Sequence, residues 1–128
     1  MIEAGAGLAL LRLPSAAANL LLGTPLEAPA ALTLARVGGA GLLTLGAACW
    51  LARSDAQSPA ARGLVTAMVI YNLGVAVILG AAGIGSDHVG VVLWPAVVLH
   101  TAMTAWCIWC IMSVQYLSKA EEPEKLRQ

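Results

Sequence analysis

Cys107-Ile-Trp-Cys110 is the CxxC of this chain, and His100 lies seven residues before its first thiol. On a helix, residues three apart stand on neighbouring faces, so these thiols can approach one another as a redox pair must. Cys49 lies towards the end of an earlier apolar stretch, at the same side of the molecule, so a cluster of three thiols is conceivable. The alternative is that all three cysteines are small, polarizable packing residues in a reducing compartment. His100, Thr104, Cys107 and Ile111 follow helical spacing and share one stripe.

Asn72 and His100 are the second pair able to do chemistry. Each lies about eleven residues from the outer end of its own apolar stretch, so at helical rise they share a depth. A buried imidazole needs a hydrogen-bond partner, and an asparagine side chain at equal height supplies one. Tyr71 adjoins Asn72, and Arg36 sits about six residues inside another stretch, roughly 9 Å at helical rise. Two roles fit these four residues. Asn72 and His100 can fix helix packing while Arg36 snorkels to the interface as an anchor. Alternatively Arg36, Tyr71, Asn72 and His100 line a ligand or proton site near the midplane of a membrane.

The elements carrying these residues are hydrophobic helices. Of 128 residues, 59% are hydrophobic and 11% charged, against roughly 25% charged in soluble domains. Spanning about 30 Å of hydrocarbon takes about 20 apolar residues. The predicted fold is all-α, an integral membrane helical bundle over 1–117 with four transmembrane helices near 4–22, 31–52, 62–83 and 89–116. A charged tail, 118–128, follows. In the first helix Arg12 falls near mid-membrane and Pro14 follows it, so that helix either spans with a kink or lies along the interface. Ser58-Pro59 reads as the cap and first turn of the third helix, and Pro95 falls early in the fourth.

Charge fixes an orientation. Arg53 and Arg62 in one loop, with Lys119, Lys125 and Arg127 in the tail, share one side, while the opposite loops hold Glu27, Asp87 and His88 and no lysine or arginine. By the positive-inside rule the basic loop and tail face the cytoplasm. Trp50, Trp106, Trp109 and Tyr116 approach that side and Trp94 the other, which reads as two interfacial belts. Ala35-xxx-Gly39 and Ala40-xxx-Thr44-xxx-Ala48 are small-residue rows, so the second helix reads as the packed centre of the bundle, with Ala76-xxx-Gly80 acting similarly on the third. These rows serve internal packing or homo-oligomerisation equally well.

Several chemistries lack their parts. No carboxylate falls inside an expected span, because Glu3 and Glu27 are at helix ends, and proton-coupled cation export calls for one. A second facing histidine for bis-histidine haem, a metal ligand set, a phosphate-binding loop and a nucleophile elbow are all missing. No catalytic residue, metal ligand or cofactor is therefore expected. The expected partners are the lipid bilayer and a further copy or another membrane protein, and a net charge of zero gives no reason to expect nucleic acid.

Ala35-Arg36-Val37-Gly38-Gly39, Leu45 to Arg53, Ala61 to Val65, Tyr71-Asn72 and Leu93 to His100 together resemble small bacterial multi-pass membrane proteins without an assigned activity. That resemblance covers most of residues 30–110 and implies a bacterial inner-membrane location. Cys107 and Cys110 also bear a distant similarity to the vitamin K epoxide reductase group, four-helix thiol–quinone enzymes with CxxC on their last core helix. The extra loop cysteine pair of that group is missing here. The expected function is contact with lipid or other membrane helices; the alternatives are a small-molecule binder or transporter and a thiol–quinone redox protein.

Overall fold

The structure is a computed structural model describing residues 2–55 and 58–125, with side chains in the last helix described through Ser113. Five α-helices follow one another: α1 (Ile2–Arg12), α2 (Pro14–Leu22), α3 (Pro29–Leu51), α4 (Pro59–Ile84) and α5 (Leu93–Lys125), with a 3-10 turn at Ala52–Ser54 after α3. No strand occurs among the described residues. Pro14, Pro29 and Pro59 each occupy the first helical position, where the missing N–H has no intrahelical acceptor to lose. Ser58 caps α4, its hydroxyl accepting from the Ala61 N–H at 3.1 Å. Gly23 ends α2 in the left-handed conformation at φ 77°, which a side chain would strain.

Three helical segments, Pro29–Ser54, Pro59–Ile84 and Leu93–Ser113, are long and apolar enough to cross a membrane. The chain is a multi-span membrane protein, an all-α bundle as composition predicts. The N-terminal segment departs from a simple kink. α1 and α2 meet at 117°, far beyond what a proline inside a continuous helix imposes. Pro14 removes the N–H that would continue α1 and bars helical geometry at Leu13, whose φ of −133° and ψ of 56° break the chain direction. The break places Arg12 in the last turn of α1, where a cation meets the negative end of the helix, rather than mid-helix.

The bundle is built from two antiparallel pairs. α1 runs against α3 with backbones nearly touching: a Cβ on Gly7 would stand 2.7 Å from the Gly39 carbonyl oxygen, and one on Gly39 2.8 Å from the Gly7 carbonyl oxygen. Gly46 meets Ala4 in the same seam. α4 and α5 pair through side chains. Ala61, Met68, Asn72 and Leu79 form the buried stripe of α4, and Leu93, Thr104 and Cys107 are buried on α5, with Gly83 accommodating Leu93 and Trp94 at the outer end. Spacings of seven and four keep one face turned to its partner, the geometry of slightly crossed antiparallel helices. α2 links the pairs: the Val92 N–H donates to the Leu20 carbonyl at 3.1 Å, and Gly90 lies against that same carbonyl.

Three packing expectations need correction. α3 is not central, since α1 is its main neighbour and its opposite face is open; Ala40 and Thr44 are exposed, and a Cβ on Gly38 or Gly41 would meet nothing within 4 Å. Helices in lipid gain nothing from hydrophobicity alone, so a small-residue row need not be covered. The Ala76/Gly80 row likewise makes no close approach at Gly80. Finally, α5 begins four residues later than expected and its backbone stays helical through Lys125, into the segment expected to be tail. Lys119 to Glu122 are mostly strong helix formers, which favours continuation. Residues 126–128, and with them Arg127, lie outside the described residues, as do the side chains of Tyr116, Lys119 and Lys125.

Gly39→Ala should therefore destabilise the protein by about 1–3 kcal/mol, because rigid backbone faces the new methyl. Gly38→Ala, one residue away, should be neutral or slightly stabilising through helix propensity. Thermal unfolding in detergent compares the two, and equal effects would rule out the α1–α3 crossing.

Candidate functional site

Asn72 sits on the stripe of α4 that faces α5 and is fully buried. Its side-chain Nδ2 donates to the Met68 carbonyl one turn earlier, at 2.8 Å. A carbonyl can only accept, so the NH2 of the amide must face Met68 and the amide oxygen must face the other way. There it lies 2.7 Å from Nδ1 of His100 on α5. The amide oxygen carries no hydrogen, so Nδ1 must carry it. In the neutral ring Nε2 is then left with its lone pair. The depth match read from sequence is thus a direct interhelical hydrogen bond, with its donor and acceptor set by a backbone carbonyl.

One further contact steadies the imidazole, and one steadies the backbone beneath it. The Tyr71 ring meets it edge to face, centroids 5.9 Å apart and planes at 78°, an arrangement aromatic rings prefer. Thr104 donates its hydroxyl to the His100 carbonyl at 2.8 Å, so it braces the helix rather than the ring. Of the four residues expected to share a site, Tyr71, Asn72 and His100 come together. Arg36 does not join them: it is exposed on α3, and no described hydrogen bond or ion pair connects it to the other three. It starts about 10 Å inside α3, within snorkelling reach of the interface.

The thiols are free. Cys107 is buried on the α4-facing stripe, whereas Cys110, one face round, is half-buried. Cys49, on α3, is half-buried as well. Among the described residues, no group of three histidine, cysteine, aspartate or glutamate side chains is placed to hold a metal.

Sequence reasoning missed Glu3. It counts as a helix-end residue, yet α1 packs so that its first turn lies against α3 at Gly46. Its position follows from the crossing of Gly7 with Gly39 and of Ala4 with Gly46. The clue in the sequence was the presence of small residues on both helices of that crossing, Ala4 and Gly7 on α1 and Gly39 and Gly46 on α3.

At the basic end, Arg53 stacks its guanidinium 4.1 Å from the Trp50 ring centre and donates to the Trp50 carbonyl at 2.8 Å. Trp50, Trp94, Trp106 and Trp109 are all exposed, as interfacial anchors must be. No family model matches the chain, and no curated protein or solved structure matches it either.

The Asn72–His100 bond should show in a double-mutant cycle. With Asn72→Ala and His100→Ala measured singly and together by unfolding in detergent, the coupling should be about 0.6–1.7 kcal/mol, the range for hydrogen bonds between membrane helices. Strict additivity would mean that the two side chains do not bond in the folded protein.

Proposed function

We propose that this chain acts by contact within the bilayer, offering the open face of α3 to a second membrane helix, and makes or breaks no covalent bond. The observation carrying this reading is the chemical make-up of that face. Lipid tails are best met by bulky side chains, yet Gly38, Ala40, Gly41, Thr44 and Ala47 are exposed there, with open space over both glycines. Small residues at helix spacing let a neighbouring backbone come close, which is where attraction between helices in lipid originates. Leu34 and Val37 on the same helix, 71% and 64% exposed, provide the flanking contact area. Only 11% of each span's apolar window is buried within the chain, so ample surface remains for partners and lipid.

In this reading the loop holding Arg53 and Arg62 lies in the cytoplasm, on the strength of the lysine and arginine bias. The membrane is the inner membrane of a bacterium, on the strength of the resemblance to small bacterial multi-pass proteins. The helix that meets α3 belongs to another copy or to a different membrane protein.

Cysteine placed at Gly41, with Cys49, Cys107 and Cys110 replaced by serine, should form crosslinks in native membranes. Gly41→Leu should lower capture of the partner severalfold while leaving the melting temperature unchanged or slightly raised, since nothing in the described chain occupies that space and leucine favours helix. Recovery of monomer alone would overturn the proposal.

A further inference from the structure

The hydrogen bonding that orders His100 also leaves Nε2 unused. Met68 orients the amide, the amide puts the hydrogen on Nδ1, and Nε2 has no partner among the described residues. Among the described residues that are not exposed, no side-chain nitrogen or oxygen is both buried and unpartnered, and His100 is half-buried. Nε2 therefore reaches the protein surface. Tyr71 is in the same position: it is half-buried, and its hydroxyl has no partner among the described residues, so it too reaches the surface. The two rings touch edge to face. An O–H donor and a bare nitrogen acceptor thus stand on adjoining side chains, about 10 Å along α5 from its outer end. Hydrocarbon satisfies neither group.

We infer that Tyr71 and His100 bind the hydroxyl group of an apolar, lipid-dissolved molecule, such as a phenol, a quinol or a long-chain alcohol, entering sideways from the bilayer. The ligand oxygen accepts from the Tyr71 hydroxyl, and the ligand hydrogen is donated to His100 Nε2. A hydroxyl does both with one atom; a ketone or an ether can only accept, and leaves Nε2 bare. A carboxylate fails for the same reason. The site is on α4 and α5, away from the open face of α3, so it stands or falls independently of the contact proposal.

The test uses the full-length protein in lipid nanodiscs with nitrogen-15 histidine. His88→Gln assigns the remaining ring to His100, because the chain has two histidines. The probes are 4-nonylphenol and its methyl ether, equal in shape and differing in the donor. The phenol should move the Nε2 resonance and bind about tenfold more tightly than the ether, the difference one hydrogen bond supplies. Tyr71→Phe, which keeps the ring contact, should lower phenol affinity by about three- to tenfold while the Nδ1-protonated tautomer persists. Equal affinities for phenol and ether, or no loss in Tyr71→Phe, would overturn the inference. So would an Nε2 resonance that follows the protein-to-lipid ratio and ignores the phenol, since a second copy would then hold the acceptor.

Discussion

Hydrocarbon offers neither donors nor acceptors, so a polar group carried into it must be satisfied by the chain or by something the chain binds. The helices meet that demand for the backbone, and the small hydroxyl side chains follow the same habit. Thr33, Thr44, Thr66, Thr101, Thr104 and Ser113 each turn their hydroxyl back to the carbonyl four residues earlier. These bonds close within one helix and say nothing about which helix comes next. Asn72 cannot be satisfied so cheaply, because its amide has two functions. One goes home to Met68 and the other must cross to His100. That crossing sets the register of α4 against α5 and the ring orientation that defines the candidate site.

The two helix pairs solve the packing problem by different means. α1 and α3 bring main chain against main chain, at Gly7 and Gly39, and gain dispersion contact from closeness. α4 and α5 stay further apart and interlock a stripe of larger side chains around the hydrogen bond. Neither device reaches across to the other pair. The short α2, bent sharply off α1, carries the connection to the start of α5, where Gly90 allows the Leu20 carbonyl to approach the backbone. Had Pro14 been an ordinary helix former, α1 would have run on past Arg12, leaving that arginine in the middle of a long apolar helix.

Depth was legible in the sequence, and direction round the helix was not. Counting residues from the outer end placed Asn72 level with His100, and the cap at Ser58-Pro59 and the early Pro95 sit as expected, because caps and prolines act within a few residues. The stripe of His100, Thr104, Cys107 and Ile111 was legible too, because it depends only on helical period. Which helix each small-residue row would meet was not. Ala35-xxx-Gly39 and Ala40-xxx-Thr44 look equivalent as strings, yet the first faces α1 and the second faces outward. In water the more apolar face would have been buried; in lipid both faces are tolerated, and hydropathy loses its power to choose.

Glu3 shows why a helix end is not the same place as a membrane surface. α1 is only eleven residues long, so its first turn is carried to wherever the glycine crossing with α3 puts it. That position is against Gly46 on α3, three residues before Cys49. Cys107 lies seven residues from His100, about 10 Å along α5. The thiols and the imidazole are therefore separate features of α5. α1 does two things at once: its glycine holds α3, and its first turn carries an acidic side chain to the second half of that helix.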